Sequence, residues 1–331
     1  MSHSARAAIP RVAVIIVNWN GGELLAQCLD HLSSQTVTPA QILVLDNAST
    51  DNSADSALAY ADVRLIRSAL NLGFAAGNNL ALAHCDCELV ALLNADAFAQ
   101  PDWLERLIVA AMANPDVAAF GSLQLSCRDP AIIDGLGDRY HVSGLARRIG
   151  YGEPLTNYQS NCDKACTREV FSVCAAAALY RRDALLRIGG FDEDFFCYFE
   201  DIDLGFRLRL AGFGAVTVNG AIVHHLGSAS SGGYESEFSV YHGHRNMVWA
   251  FVKNMPAPLL LPLLPLHLLA NMLTVLMFSL RGRAKLILRA KWDALLGLPK
   301  AWRKRRVIQQ NRVADTGSIL RALSLLWRDS P

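Results

Sequence analysis

The segment VAVIIVNWNGG, residues 12–22, determines the fold class of this chain. Its first six residues are apolar and mostly β-branched, which is typical of a parallel strand that is buried on both faces. Asn18 to Gly22 then predict a polar turn, and the next segment, ELLAQCLDHLSSQ (23–35), has apolar residues at helical spacing. The segment therefore predicts one strand–turn–helix unit of an α/β domain.

The same unit recurs through the first hundred residues. Further apolar runs lead into a polar loop that begins at Asp46, into the Gly-rich loop NLGFAAGNN (71–79), and into Asn-Ala-Asp at 94–96. Strands that alternate with helices predict an α/β fold with a mostly parallel sheet. Because open α/β sheets bind ligands beyond the carboxyl ends of their strands, we expect Asn18, Asp46 and Asp96 to lie near one ligand. From Phe120 to Arg168 the periodicity weakens, which predicts a long irregular excursion.

Charge is distributed unevenly along the 331 residues. Residues 1–280 contain 18 Lys and Arg against 27 Asp and Glu, whereas residues 281–331 contain 13 against 3. The acidic body argues against a nucleic-acid partner. A basic tail that follows an apolar run instead predicts contact with an anionic membrane surface.

The apolar run at 257–280 contains no charged residue and is long enough to span a bilayer. It is interrupted by Pro258, Pro262 and Pro265. The following segment, RGRAKLILRAKWDALLGLPKAWRKRR (281–306), has the composition of an amphipathic helix that lies in a membrane interface. We therefore expect the tail to lie on the membrane rather than to span it.

Eight cysteines are scattered along the chain. Their spacing, including Cys85 with Cys87 and Cys162 with Cys166, does not match a structural zinc site. The N-terminus has no apolar core of the signal-peptide type. We expect reduced, mostly structural cysteines in a protein that faces the cytosol, with a regulatory disulfide as the alternative.

The segment FDEDFFCYFEDIDLGFRLRLAGF (191–213) places six carboxylates among seven aromatic rings. It predicts an aromatic loop followed by a helix that begins near Glu200 and ends at Gly212. Glu200 and Asp201 suit the helix N-terminus, but an apolar pocket would also raise the pKa of a carboxyl group there and make it a general base. We expect Asp203 and Arg207 to support the helix surface through their i,i+4 spacing.

Two further groups are candidate metal ligands. Asp96 is either a helix N-cap or a ligand for a hard divalent cation that bridges a diphosphate. His224 and His225 follow an apolar strand, and one of them would complete a site with Asp96 if the fold brings them together. The sequence alone leaves both alternatives open.

Six segments occur in an order that resembles the family 2 glycosyltransferases of GT-A fold, close to bacterial rhamnosyltransferases. They are VNWNG (17–21), LDNASTD (45–51), NLGFAAGNN (71–79), LLNADA (92–97), the acidic aromatic segment (191–213) and YHGHRNMVWAFVKN (241–254). The resemblance covers about residues 12–254. It implies a GT-A α/β domain with a Rossmann-like, mostly parallel sheet and flanking helices, and the composition predicts a membrane-associated helical tail after it.

The resemblance also implies roles for the matched residues. The nucleotide-sugar contacts would come from Asn18, Asn20, Gly21, Asp46, Asn71, Gly73, Asn78, Asn94, Asp96 and Arg245. Asp96 matches the last acid of the family's Asp-x-Asp motif, whose first acid is here Asn94. Asp201, with Glu200 beside it, matches the catalytic base. Mn²⁺ or Mg²⁺ would bind Asp96 and a histidine, for which His224 is the better match and His225 the alternative.

The resemblance divides the matched region into a nucleotide-sugar-binding half (11–118) and an acceptor-binding and catalytic half (119–254). Outside it we expect a disordered N-terminus (1–10) and, from the composition, a membrane-associated tail (255–331). The resemblance implies an inverting transfer of a deoxyhexose, such as rhamnose from dTDP-rhamnose. The membrane-associated tail indicates that the acceptor is a lipid-linked glycan or polysaccharide of the cell envelope. We expect the protein at the cytoplasmic face of a bacterial inner membrane, as a peripheral or monotopic protein. The oligomeric state stays open.

Two other classes of protein are alternatives. A sugar nucleotidyltransferase also uses acids at strand ends, but it would normally have a basic Gly-rich loop near the first strand, and NWNGGELL (18–25) has no Lys or Arg. A non-catalytic membrane scaffold would have no use for Asp96, Asp201 and the two histidines.

Overall fold

The computed structural model describes residues 9–159, 166–227, 233 and 235–325. The strands are β1 Val12–Asn18, β2 Gln41–Asp46, β3 Val63–Arg67, β4 Leu89–Leu93, β5 Ala97–Ala99, β6 Val117–Ser126, β7 Ile133–Gly135, β8 Asp138–Tyr140, β9 Ala146–Arg148, β10 Thr167–Glu169, β11 Ala177–Arg181 and β12 Gly214–His225. The helices are α1 Leu24–Ser33, α2 Gly73–Leu82, α3 Trp103–Ala113, α4 Thr156–Gln159, α5 Arg182–Arg187, α6 Glu200–Leu210, α7 Glu237–Asn254, α8 Ala257–Leu280, α9 Ala284–Gln310 and α10 Thr316–Ala322. The first eight residues, where disorder is predicted, lie outside the described part of the chain.

One mixed sheet organises the described residues, with the strand order β10-β12-β6-β11-β4-β1-β2-β3. Strand β1 pairs in parallel with β2 and β4, and β2 pairs in parallel with β3. Strand β11 then enters antiparallel between β4 and β6. The carboxyl ends of β1, β2 and β4 therefore lie at one edge, and the sheet continues across residue 118 without a break.

Strand β1 is buried on both faces, as its apolar run predicts. Val14 and Ile16 pack with α1 and α3 on one side. Ala13 and Ile15 pack on the other side, in the core that also contains residues of α2 and α6. The two sides alternate because successive side chains of a strand point to opposite faces.

The expected irregular excursion begins later than the sequence suggests. Strand β6 continues to Ser126 inside the sheet, and Phe120 is fully buried. The side chains on both faces of β6 are buried, and they include small and polar residues. The alternation of apolar and polar residues that usually indicates a strand is therefore missing. The short strands β7 to β10 follow.

Helix α8 is continuous although Pro262 and Pro265 lie inside it. Its buried side chains form one stripe along its length: Leu260, His267, Thr274 and Phe278. The ring of His267 stacks on Phe251 with centroids 3.9 Å apart, and His267 Nδ1 lies 2.7 Å from the carbonyl oxygen of Ser143. One face of α8 therefore packs on the α/β domain, while the opposite apolar face is exposed.

The cysteines differ in part from the expectation that they are reduced. Six are free: Cys28, Cys85, Cys87, Cys127, Cys174 and Cys197. Cys166, in contrast, is disulfide-bonded. Cys162 lies outside the described residues.

Candidate active site

A cavity of about 640 Å³ opens at the carboxyl ends of the central strands. Eight of the residues predicted from the sequence line it: Gly21, Asn71, Gly73, Asn94, Asp96, Glu200, Asp201 and His225. Aromatic walls come from Trp19, Phe74, Phe196, Tyr198, Phe199 and Phe238. The fold therefore brings together residues that are up to about two hundred positions apart in the chain.

Asn18, Asn20 and Asp46 shape the loops at the base of this cavity rather than line it. Asn18 is fully buried, and its Nδ2 donates to Ser49 Oγ at 3.1 Å and to Ser53 Oγ at 2.8 Å. Asp46 Oδ1 accepts from the backbone N–H of Ser49 at 3.2 Å. Asn20 Oδ1 accepts from the backbone N–H of Thr50 at 2.8 Å.

Asn47 is a residue that the sequence analysis did not single out, although it follows Asp46 directly. Its Nδ2 donates to Asn71 Oδ1 at 3.0 Å and to the Gly73 carbonyl at 3.1 Å, and both Asn47 and Gly73 line the cavity. Gly73 has φ +78°, and a Cβ there would lie 2.5 Å from the ring of Phe196. Asn78 is buried within α2 and donates to the Phe74 carbonyl, so it is not part of the wall.

Asp96 meets His225 on one wall. His225 Nε2 lies 3.4 Å from Asp96 Oδ1, and His225 Nδ1 lies 2.8 Å from Asp134 Oδ2. Arg148 Nη1 contacts the same Asp134 oxygen at 3.2 Å. Burial opposes a charge on His225, but the hydrogen bonds with Asp134 and Asp96 outweigh it and raise the pKa of His225 to about 9.

His224 points away from this wall, which corrects the preference for His224 as the metal ligand. Successive residues of β12 face opposite sides of the sheet, so only one histidine can meet Asp96. His224 Nε2 lies 3.4 Å from Gln100 Nε2 instead. Burial and the nearby His31 lower the pKa of His224.

Glu200, Asp201 and Asp138 form a group of interacting carboxyl groups in the same cavity, with Arg148 as their neighbouring cation. Burial, followed by the charge of Asp201, raises the pKa of Glu200 well above its usual range. Burial also raises the pKa of Asp201, although Arg148 opposes the shift. Asp138, which the sequence analysis missed, has its pKa raised by burial and by Asp201. Its only sequence signal is its place in the weakly periodic region.

The acidic aromatic loop before α6 has an unusual backbone. Phe196, Tyr198 and Phe199 have φ values of +64°, +65° and +70°, a region that costs side-chain-bearing residues energy. Asn246 Nδ2 contacts three of the loop's carbonyl oxygens: Phe195 at 2.8 Å, Cys197 at 3.0 Å and Tyr198 at 2.7 Å. Helix α7 therefore holds the strained loop.

Arg245 also supports this loop, which differs from its expected contact with a diphosphate. Its Nη2 donates to the carbonyl oxygens of Asp194 and Phe195 at 3.2 Å each. Its guanidinium lies 4.4 Å from the ring centroid of Trp249. The side chain is thus engaged beside the cavity and does not line it.

Lysines from α7 and α9 neutralise the first acids of the loop. Lys253 pairs with Asp192 and, at 2.7 Å, with Asp203. Lys304 pairs with Asp192 and, at 2.7 Å, with Asp194, and Lys300 Nζ lies 2.6 Å from Asp194 Oδ1. The basic tail thus reaches the loop that leads to Asp201.

Asp203 and Arg207 are buried, which corrects their expected place on the helix surface. They form an ion pair at 2.7 Å. Arg207 Nη1 also donates to the Gly190 carbonyl at 2.7 Å. Their pairing links α6 to the start of the acidic loop instead of supporting an exposed face.

Known proteins resemble this chain in sequence and in fold. Residues 13–189 match the model of glycosyl transferase family 2. The chain belongs to this family. The N-acetylglucosaminyl-diphospho-decaprenol L-rhamnosyltransferase of Mycobacterium tuberculosis is 29% identical over 255 residues, which cover 69% of this chain and 80% of that protein.

Two solved glycosyltransferases share the GT-A fold. GalNAc-T7, solved with UDP, GalNAc and Mn²⁺, has a TM-score of 0.60 at 14% identity over 75% of this chain, which spans 48% of that structure. The mannosyltransferase PcManGT of Pyrobaculum calidifontis, solved with GDP-Man and Mn²⁺, has a TM-score of 0.54 at 20% identity over 96% of this chain and 88% of its own. The fold and the glycosyltransferase class predicted from the sequence are confirmed, and the nucleotidyltransferase and scaffold alternatives are set aside.

The residues on the Asp96 wall suit a divalent cation that shares its coordination with a ligand. His225 Nε2 is buried, and it lies 3.4 Å from a carboxylate oxygen of Asp96. In the same part of the chain, no group of three or more His, Cys, Asp or Glu side chains has the geometry to hold a metal. A cation at Asp96 and His225 would therefore need further oxygen ligands, such as those of a diphosphate.

Proposed function

We propose that this glycosyltransferase is an inverting enzyme that transfers a deoxyhexose, such as rhamnose from dTDP-rhamnose, to a lipid-linked or polysaccharide acceptor in cell-envelope synthesis. One observation carries the proposal: Asp96, His225, Glu200 and Asp201 line a single cavity. This arrangement offers a cation site for the leaving diphosphate and a base in the same cavity.

The residues of the cavity have separate tasks in the proposed reaction. Asn47, Asn71 and Gly73 form the wall against which the donor nucleotide binds. A cation bound at Asp96 and His225 would supply positive charge to the diphosphate as it leaves. Asp201 accepts the proton of the acceptor hydroxyl while that oxygen bonds to the anomeric carbon and the bond from that carbon to the diphosphate oxygen breaks. Attack from the opposite face inverts the anomeric centre.

The surroundings of Asp201 favour this task. Burial raises the pKa of Asp201, and a carboxylate with a raised pKa is a better general base. The backbone N–H of Ile202 donates to Asp201 Oδ1 at 2.8 Å and fixes the side chain. Glu200 continues the same wall as a second, more deeply buried carboxyl group.

The deoxyhexose donor is supported by the similarity to the mycobacterial L-rhamnosyltransferase and by the apolar walls of the cavity. Aromatic side chains provide a surface for the methyl group of a 6-deoxy sugar. The lipid-linked acceptor is supported by the same relative, whose name specifies a diphospho-decaprenol substrate.

A membrane location is supported by helix α8, which is the one described helix that is long and apolar enough to cross a bilayer. Its buried stripe packs on the α/β domain along its length. A helix held in this way suits a protein that lies on the cytoplasmic face of the inner membrane, with the basic residues of α9 near anionic lipids.

The proposed activity is tested by incubating the full chain with a panel of nucleotide sugars, with and without Mn²⁺. We expect release of dTDP from dTDP-rhamnose, faster with the cation than with EDTA. Release from a different nucleotide sugar alone would change the donor, and no release from any of them would contradict the proposal. Undiminished release in EDTA would contradict the cation site.

A further inference from the structure

A second cavity, of about 540 Å³, lies where α7, the end of α8 and the start of α9 meet. Its walls include His244 and Val240 of α7, Phe278 of α8, and Arg281 and Arg283 of the α8–α9 connection. None of these residues has a part in the proposed chemistry at Asp201. The cavity therefore needs an explanation of its own.

The second cavity adjoins the catalytic cavity. Ala146 and Phe199 line both of them. Phe199 is the residue directly before Glu200 and Asp201. The two cavities thus share Phe199 as a lining residue, next in the chain to the carboxyl groups of the first cavity.

Arg281 and Arg283 give this cavity a positive wall. Neither makes a salt bridge with another described residue, and the guanidinium of Arg283 lies 5.8 Å from the ring centroid of Phe278. Guanidinium groups match the oxygens of phosphates in geometry and charge. Glu235 also lines the cavity, and its negative charge offsets the positive charge of one arginine. The second arginine therefore leaves the lining with a net positive charge.

The surface outside the cavity is apolar. The face of α8 that turns away from the domain exposes long apolar side chains over several turns: Leu269, Met272, Leu273, Leu276 and Leu280. A phosphate site at the end of the helix that carries this apolar surface matches a molecule with an anionic group at the end of a hydrocarbon chain.

We propose that the second cavity binds the diphosphate of a lipid-linked acceptor on Arg281 and Arg283, with the lipid chain along the outer face of α8 and the sugar directed past Phe199 towards Asp201. This inference rests on the proposed function and adds to it the site and chemical class of the acceptor. It gives α8 a task in substrate binding besides membrane contact.

The experiment uses farnesyl diphosphate as the probe and the purified full chain in detergent. We expect the R281Q/R283Q double variant to bind it at least tenfold more weakly than the parent. Lys285→Gln, which removes an exposed cation from the first turn of α9, is the control and should bind it within twofold of the parent. Farnesol and inorganic pyrophosphate should each bind the parent at least tenfold more weakly than farnesyl diphosphate.

Three results would overturn the inference: unchanged binding by the double variant, equal binding of farnesol, or equal binding of pyrophosphate. The second result indicates an apolar site and the third a simple anion site. Donor hydrolysis, measured on the same samples, is independent of this cavity. A protein that hydrolyses the donor but binds no farnesyl diphosphate refutes only this inference, whereas the reverse result refutes the proposed function.

Discussion

Asp201 shares its cavity with three other carboxyl groups, those of Asp96, Asp138 and Glu200, and with the guanidinium of Arg148, so the pKa of each group depends on the charges of the others. The same holds for His225, which lies between Asp96 and Asp134. Its pKa of about 9 means that the side chain is protonated at neutral pH in the absence of a cation. A metal ion must displace that proton in order to bind Nε2.

We therefore predict that the affinity for Mn²⁺ rises with pH. Below the pKa of His225, each pH unit should strengthen binding by about tenfold, because one proton is released. Calorimetric titration at pH 6.5 and 8.0 measures this slope. His225→Gln should bind weakly with little slope, and His224→Gln should keep the slope of the parent. Equal affinity of the parent at both pH values would contradict the assignment.

The backbone conformation of Gly73 and its contact with Phe196 lead to a second prediction. Ala at this position combines an unfavourable φ of +78° with a clash against Phe196, whereas Gly22 has φ +54° and open space around its Cβ position. We expect Gly73→Ala to destabilise the protein by about 1 to 3 kcal/mol more than Gly22→Ala, because only the first forces a neighbour to move. Chemical denaturation measures the free energy of unfolding of both variants. Equal losses of stability would show that the clash with Phe196 is relieved without an energetic cost.

At the scale of elements, the loop before α6 depends on helices that follow it in the chain. Lys253 is only 1% exposed and neutralises both Asp192 and Asp203. Burial opposes ionisation of Asp192, yet Lys253 and Lys304 hold the pKa of that carboxyl group far below its usual range. Ion pairs therefore join the acidic aromatic loop to α7 and α9.

Removal of Lys253 should be costly. We predict that Lys253→Met lowers the free energy of unfolding by about 3 to 5 kcal/mol, because it leaves two buried carboxylates without their shared cation. Urea denaturation measures the loss, with Lys285→Met on α9 as the control that should remain within about 0.5 kcal/mol of the parent. A loss below about 1 kcal/mol would show that Lys304 and Arg207 suffice to neutralise Asp192 and Asp203 without Lys253.

The sequence predicted local elements well and long-range contacts poorly. The apolar run of β1 and the helix that begins at Glu200 follow from patterns within about ten residues. The ion pairs of Asp192 with Lys253 and Lys304 join residues 61 and 112 positions apart, and no local pattern signals them. Successive side chains of β12 point to opposite faces, so the sequence shows that only one of His224 and His225 can reach Asp96. It does not show which one, because that depends on where the fold places Asp96.

On the scale of the whole molecule, the exposed face of α8 and the cations of α9 predict binding to anionic membranes. The full chain should sediment with vesicles that contain phosphatidylglycerol more strongly than with phosphatidylcholine vesicles. Leu273→Glu with Leu276→Glu should weaken binding by about tenfold or more, since two apolar contacts are lost. Val109→Glu, on the exposed face of α3, should have no effect. Equal sedimentation of all three proteins would contradict a role for α8.

In the proposed function, Asp201 is the base of an inverting glycosyl transfer. The most direct test of this role is the rate of sugar transfer by Asp201→Asn, with the donor identified by hydrolysis, beside Asp62→Asn as an exposed control. We predict that kcat falls by about a hundredfold to ten-thousandfold in Asp201→Asn while donor binding stays within threefold, and that the control retains the parent rate. Transfer by Asp201→Asn within a few-fold of the parent rate would contradict a role of Asp201 as the base.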